Sequence, residues 1–205
     1  MTLLERRRAL MSQTREKYVF VEYIQSTGTQ WIDTGFVPKN TTRVVMDFQV
    51  AEITASFIFG SRVSGSSKAY TFNMSKTGFT EFKFLTVYGS GGSMVSATAD
   101  TSRHTVDKNK RTTYFDSAVA GMHNSETFTS PGSLELLACY NNGTKGYLPS
   151  KIKLYSCQIY DNGTLVRDVV PCYRKSDKVA GLYDKANDIF YENQGTGNFL
   201  IGGEI

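Results

Sequence analysis

The sequence predicts an all-β protein, folded as an antiparallel sandwich or a closed barrel. Its composition favours strands, with 12 Tyr and 13 Phe, residue types that suit a pleated and half-buried surface. About a dozen short apolar or alternating runs follow one another, separated by turns that contain Gly or Asn. A chain of 205 residues buries enough apolar surface to form one such domain without disulfide bonds.

The N-terminal residues 1–17 are predicted to form a helical arm, separate from the sandwich of residues 18–205. Thr2 and Glu5 have the spacing of a capping box, in which each side chain bonds the free backbone N–H of the other residue. The arm carries +3 of the chain's formal charge of +4. It is therefore either a solvated charged helix or a docking arm.

As a docking arm, this helix is expected to contact a neighbouring subunit more than its own sandwich. Its apolar stripe follows the 3.6-residue period but is interrupted by Arg7 and Thr14, which is compatible with a looser contact or a partner. The residues expected to dock are Leu3, Leu4, Arg6, Arg7, Arg8, Leu10 and Met11.

Strands are predicted from residue 18 to the end of the chain. The clearest is 42–50, in which Val44, Met46, Phe48 and Val50 alternate with other residues and define one face. The other predicted strands are 18–24, 30–33, 56–60, 70–74, 81–88, 103–106, 112–115, 133–139, 152–160, 165–170, 181–183, 189–192 and 199–201.

Turns between these strands are predicted from local signals. Asn162 and Gly163 form the strongest one, since an Asn-Gly pair adopts the positive φ angles of a primed hairpin turn. Residues 108–110 and 141–143 are predicted to form turns as well, and 89–92 a glycine-rich loop.

Four segments of the sandwich carry recognisable motifs. Residues 154–172 read LYSCQIYDNGTLVRDVVPC, 179–184 read VAGLYD and 190–197 read FYENQGTG, while 21–35 read VEYIQSTGTQWIDTG. They resemble laminin-G-like, concanavalin-like domains that are common in gut Firmicutes and their phages. The resemblance covers the whole sandwich and implies an antiparallel jelly roll. It names no ligand, because members of the group serve as lectins, adhesion modules and virion parts.

The opening MTLLERRRALM resembles the start of short phage-encoded members of this group. This resemblance implies a complete gene product that is a virion component, assembled in the cytoplasm of the bacterial host. Its partners would be other virion proteins, reached through the arm, and it would occur as a homo-oligomer or in many copies.

Several classes of protein are disfavoured by composition. Cys139, Cys157 and Cys172 are odd in number and form no CxxC pair, so we expect three reduced thiols. No apolar run is long enough to span a membrane, and no apolar segment follows the N-terminal charges as in a secretory signal. The sandwich is nearly neutral and has no basic stripe, which argues against a nucleic-acid partner.

Signals of catalysis and metal binding are weak. His104 and His123 lack the spacing of metal ligands, and no strand carries the closely spaced carboxylates of a glycoside hydrolase. We therefore expect no enzyme activity and no cofactor. No calcium-loop motif is present. Calcium binding stays open, because a site at the rim of the sandwich can be built from oxygen ligands that are scattered along the sequence. Trp31 is expected in the core.

Carbohydrate binding is the ligand chemistry that the loops favour, because sugars are held by aromatic faces together with amide groups. The candidate residues are Tyr140, Asn141, Asn142 and Tyr147 in one loop, and Arg62, Tyr70 and Tyr88 on a second surface. Each is also compatible with a turn that carries a packed aromatic ring.

Taken with the resemblance, these residues predict a phage or prophage virion protein that displays a lectin-like sandwich to host-surface or mucosal glycans. Two alternatives stay open, a capsid or tail decoration without a ligand and a bacterial cell-surface carbohydrate-binding protein.

Overall fold

The computed structural model describes Thr14 and residues 16–64 and 67–205, and within them the chain is almost entirely β-structure. The strands are β1 Tyr18–Phe20, β2 Ile24–Gln25, β3 Ile32–Asp33, β4 Thr42–Glu52, β5 Ser56–Arg62, β6 Ala69–Ser75, β7 Lys83–Gly89, β8 Met94–Thr98, β9 Arg103–Asn109, β10 Thr112–Phe115, β11 Ala118–Met122, β12 Glu135–Leu136, β13 Cys139–Asn141, β14 Thr144–Tyr147, β15 Lys151–Asp161, β16 Thr164–Arg174, β17 Ala180–Asp184, β18 Ile189–Glu192 and β19 Leu200–Ile201.

These strands form two sheets that face each other as a β-sandwich. The eleven-stranded sheet has the order β11-β10-β9-β4-β15-β16-β17-β18, with β1 beside β16 and with β2 between β15 and β19. The eight-stranded sheet has the order β14-β13-β5-β6-β7-β8, with β12 joining β5 to β3. Pairing is antiparallel except between β13 and β5. The predicted all-β sandwich is confirmed.

The core lies between the sheets and has an aromatic centre. Phe48 of the eleven-stranded sheet meets Phe72 and Phe84 of the eight-stranded sheet edge-on, with ring centroids 6.0 and 5.8 Å apart. Phe72 and Phe84 stack at 5.7 Å. The predicted inward face of β4 is confirmed, and Trp31 belongs to the core as expected.

The N-terminal arm is described only at its end. Thr14, Glu16 and Lys17 are helical. The helix was predicted mainly over residues 1–13 and 15, which include every residue expected to dock and lie outside the described residues. No helix of the described part is long and apolar enough to cross a membrane.

Two of the predicted turns can be compared with hairpins in the structure. Asn162 and Gly163 have φ angles of 47° and 84°, as a primed hairpin turn requires. The hairpin predicted around 108–110 is confirmed as β9 and β10, but its turn is shorter than predicted, because Asn109 pairs with Thr112 and only Lys110 and Arg111 lie between the two strands. Lys108 therefore continues the alternation of β9 and points into the core.

Three strands, β8, β11 and β14, were absent from the sequence prediction because their residues carry no clear periodicity. Each forms an edge of its sheet, and the edges formed by β8 and β11 meet. A Cβ atom placed on Gly121 of β11 would lie 3.7 Å from the Cβ of Met94 in β8.

All three cysteines are buried and unpaired. Burial raises the pKa of Cys172 to about 12 and raises the pKa values of Cys139 and Cys157 well above the ordinary thiol range. Because the reactive form of a cysteine is the thiolate, these side chains should be inert in the folded protein.

Alkylation should therefore add no mass to the native protein and three labels after denaturation without reductant, as measured by intact mass spectrometry. Denatured, unreduced protein that takes up one label, with a mass lower by two hydrogens, would reveal a disulfide and contradict this assignment.

Candidate functional site

One cluster unites residues from both predicted sugar-binding surfaces. The parallel pairing of β13 with β5 places Asn141 opposite Arg62, and the Nε of Arg62 donates a 2.8 Å hydrogen bond to the Oδ1 of Asn141. The hairpin of β13 and β14 then brings Tyr147 close to Arg62. The Cζ of Arg62 lies 4.6 Å from the ring centroid of Phe57 and 5.7 Å from that of Tyr147.

Two further residues of the predicted loop lie apart from this cluster's aromatic contacts. Asn142 is exposed and has a φ of 49°, in the turn that joins β13 to β14. Tyr140 is half-buried, and its ring comes so close to Gly132 that a Cβ there would lie 2.7 Å away.

The prediction that Tyr70 and Tyr88 form an exposed surface with Arg62 is wrong. Tyr70 is 0% and Tyr88 3% exposed, because both alternate onto the core face of their strands. Buried phenols need hydrogen-bond acceptors. The hydroxyl of Tyr70 donates to the carbonyl of Lys108, and that of Tyr88 donates to the carbonyl of Asn40 at 3.0 Å.

A groove of about 450 Å³ lies on the outer face of the eight-stranded sheet, beside the Arg62 cluster. Phe57, Asn73 and Leu85 are paired across β5, β6 and β7, and all three point away from the core. We call this the outer groove and define it by Phe57, Arg62, Asn73, Phe79, Leu85 and Val87.

The outer groove combines an apolar floor with a polar rim. Leu85 and Val87 are almost fully buried beneath it, whereas the Phe79 ring is 39% exposed at its edge. Hydroxyl side chains at the rim come from Ser75, Thr77 and Ser93. The combination suits a small ligand that has both apolar patches and hydrogen-bonding groups.

Sequence reasoning missed Phe57, Asn73 and Phe79 as site residues. They belong to two strands and a loop, and only the pairing of β5 with β6 brings Phe57 opposite Asn73. No local motif could have identified them.

A second feature missed by the sequence is a carboxylate pair. Asp33 and Glu135 are direct cross-strand partners between β3 and β12, where Cβ atoms stand about 5 Å apart. Burial raises the pKa of Glu135 to about 7, even though the Gly146 N–H donates to its Oε2 at 2.9 Å. Its Oε1 is buried without a hydrogen-bond partner.

The pKa of the neighbouring Asp33 is shifted in the opposite direction. Burial raises its pKa, but hydrogen bonds from Ser133, from the Gly35 N–H and from Lys145 outweigh that effect and hold the pKa below its usual value. Separated pKa values of this kind are typical of acid–base pairs. However, the Glu135 side chain is 0% exposed, so its carboxyl does not face solvent or the outer groove.

Lys108 is the other buried ionisable group of interest. It is 0% exposed, its Nζ donates to the Oγ1 of Thr86, and it lies 4.9 Å from the ring centroid of Tyr70. Burial lowers its pKa to about 7. Nearby His123 is also buried, and burial together with Lys108 lowers the pKa of that imidazole to about 4.

His104 occupies a structural position. Its Nδ1 lies 2.7 Å from Asp116 and its Nε2 lies 3.0 Å from Asp100, while its ring packs 4.6 Å from that of Phe115. Within the described ranges, no group of three or more His, Cys, Asp or Glu side chains is arranged to hold a metal ion.

No protein-family model matches the chain, and no curated protein matches it either.

The buried Lys108 generates a prediction about pH. Its folded pKa of about 7 lies below the unfolded value of 10.5, so between these values the unfolded chain holds a proton that the folded chain lacks. The free energy of unfolding should therefore rise with pH across this window. In Lys108→Met this rise should shrink, and the variant should be the more stable protein at pH 7 and below.

Urea denaturation at a series of pH values measures this effect, and Lys76→Met, at an exposed loop position, is the matched control. Identical slopes for Lys108→Met and the native protein would contradict a depressed lysine pKa.

The buried Glu135 should have the opposite effect at lower pH, so that its contribution to the free energy of unfolding falls as the pH rises. Its folded pKa of about 7 lies above the ordinary glutamate value of 4.5, so its contribution to stability is full below pH 4.5 and is lost as the pH rises through 7. Glu135→Gln keeps an acceptor for the Gly146 N–H and should lack this loss. The difference in free energy of unfolding between variant and native protein should grow from pH 4.5 to 7, whereas exposed Glu81→Gln should show no growth.

Proposed function

We propose that this chain is a carbohydrate-binding sandwich of jelly-roll, concanavalin-like type, and that the outer groove is its sugar-binding surface. The observation that carries the proposal is the meeting of aromatic rings with planar hydrogen-bonding groups on one solvent-facing surface. Phe79 is partly exposed there, and Asn73 and Arg62 lie in the same groove.

Sugars suit this surface for a physical reason. A pyranose ring has an apolar face of C–H groups, which packs against aromatic rings, and a rim of hydroxyls, which bond amides and guanidinium groups. Arg62 is oriented by the rings of Phe57 and Tyr147 and by Asn141, so its position is organised before a ligand arrives.

Binding without hydrolysis is the activity that we propose. Glycosidic cleavage usually needs two carboxyl groups on either side of the bond. The cross-strand pair Asp33 and Glu135 offers two such groups, but full burial of Glu135 keeps its carboxyl from a substrate.

We further propose that the protein is displayed in many copies on a phage or prophage particle. This part rests on the sequence motifs at 21–35 and 154–197 and on the opening of the chain, which resemble phage-encoded members of the laminin-G-like group. A shallow groove of this kind gives dissociation constants of roughly millimolar to micromolar order. Many copies on one particle would convert weak contacts into firm attachment, because later contacts form at high effective concentration.

The proposal predicts glycan binding that depends on the outer groove. On an array of host-surface and mucin glycans, a multimerised form of the protein should bind, and the isolated chain should bind weakly. Phe79→Ala and Asn73→Ala should each weaken binding by about five- to tenfold, the equivalent of one lost stacking or hydrogen-bonding contact.

Leu165→Ala is the matched control, because Leu165 is also 39% exposed but lies on the eleven-stranded sheet. Absence of binding by the multimer to every glycan would favour a decoration without a ligand. Release of reducing sugar that is lost in Asp33→Asn or Glu135→Gln would contradict the proposed lack of catalysis.

A further inference from the structure

A pocket of about 280 Å³ lies at one end of the eleven-stranded sheet, between two hairpin turns. One turn, Lys110 and Arg111, joins β9 to β10, and the other, Asn162 and Gly163, joins β15 to β16. Because β9 and β15 pair with β4 on its two sides, both turns lie beside the start of β4. We call this the hairpin pocket and define it by Arg43, Asn109, Lys110, Tyr160 and Asn162.

The floor of the hairpin pocket is one row of side chains across three strands. Arg43 of β4 is the direct partner of Asn109 in β9 and of Tyr160 in β15. Direct cross-strand partners point to the same face of a sheet, and this is the outer face, since the adjacent Val44 and Ile159 are fully buried. The two strand pairings therefore bring a guanidinium, an amide and a phenol ring together on the solvent side.

The guanidinium of Arg43 is held in a fixed orientation. Its Nε and Nη2 donate hydrogen bonds of 2.8 and 2.7 Å to the carboxylate of Asp107, and its Cζ lies 5.2 Å from the ring centroid of Tyr160. Within the described part of the chain, its Nη1 has no hydrogen-bond acceptor. The side chain is 39% exposed, so these remaining N–H groups are open to a ligand.

Lys110 adds a second positive charge at the rim of the hairpin pocket. It is exposed in its turn, with a φ of 55°, and no carboxylate of residues 16–64 and 67–205 forms an ion pair with it. The side-chain amides of Asn109 and Asn162 supply further N–H donors, and Asn162 is exposed on the other turn.

No carboxylate lines the hairpin pocket, among the side chains that the structure describes. The acids beside it already have partners. Asp107 is bound by Arg43, and Asp161 accepts a 2.6 Å hydrogen bond from the Oγ1 of Thr41 and lies 3.2 Å from the Nζ of Lys39. The pocket therefore presents N–H donors and positive charge to whatever enters it.

We propose that the hairpin pocket binds a small oxyanion, that is, the carboxylate, sulfate or phosphate group of a small molecule. The planar N–H groups of arginine match the oxygens of such a group, and the lysine ammonium adds a second charge. A volume of about 280 Å³ is at the lower end for ligand pockets, so the ligand is small. The proposal does not depend on the carbohydrate-binding function, because the hairpin pocket and the outer groove lie on different sheets.

Arg103, on the same sheet face, provides an internal comparison for Arg43. It donates hydrogen bonds of 2.8 and 2.7 Å to Asp47, and its Cζ lies 3.7 Å from the ring centroid of Tyr155. Glu22 as well as Asp47 raises the pKa of Arg103, so two carboxylates offset its charge. An arginine with the same pairing but more negative surroundings should not bind an oxyanion.

Titration of the full-length protein with sodium sulfate tests the site, with sodium chloride keeping the ionic strength constant. The backbone amides of Asn109, Lys110 and Gly163 should shift in NMR spectra and saturate, with a dissociation constant of about 10 mM or lower. Separate titrations with phosphate and with acetate show which kind of group binds best, and saturation at these amides by any of the three anions supports the proposal. Saturation by none of them would overturn it.

Variants separate a built site from a response to net charge. Lys110→Met should weaken sulfate binding by about tenfold, the effect of one lost hydrogen bond between charged groups, whereas Lys153→Met on the same sheet should leave binding unchanged. Arg43→Lys should also weaken binding, because an ammonium lacks the planar N–H groups, and Arg103→Lys should not. Equal weakening by Arg43→Lys and Arg103→Lys, or binding of native strength in Lys110→Met, would overturn the proposal.

Discussion

The packing of Phe48, Phe72, Phe84 and Phe115 between the two sheets is the interaction on which the rest of the structure depends. The ring centroids of Phe84 and Phe115 lie 5.1 Å apart across the core. Because strand side chains alternate, fixing these rings inward also fixes which residues face outward. Asn73 and Leu85 reach the outer groove for this reason, each being a sequence neighbour of a core phenylalanine. A polar residue on the inward face, such as Lys108, must instead find its partners inside the protein.

The strand pattern was predictable wherever a local signal was strong. β4 alternates apolar and other residues along its length. Asn162 and Gly163 mark the turn between β15 and β16, because an Asn-Gly pair readily adopts the positive φ angles that this turn requires. The position of Lys108 was not predictable, since a lysine two residues from Lys110 is typical of an exposed hairpin turn. Only the register of β9 against β4 places its side chain between the sheets.

The candidate site was predictable only in part. Arg62, Asn141 and Tyr147 were identified by residue type, and the structure brings them together through the parallel pairing of β13 with β5. The cross-strand pair Asp33 and Glu135 is separated by about a hundred residues, so its proximity depends on a register that no sequence pattern encodes. Aromatic residues were also ambiguous, because tyrosines suit both ligand-binding surfaces and hydrogen-bonded core positions.

Glycan binding by the outer face of the eight-stranded sheet can be mapped by NMR, from the chemical shifts of the backbone amides during titration with a glycan that the protein binds. The largest shifts should occur at Arg62, Asn73 and Phe79, and the eleven-stranded sheet around Val170 should stay unchanged. Shifts confined to the eleven-stranded sheet, or spread evenly over both sheets, would show that the glycan does not bind in the outer groove.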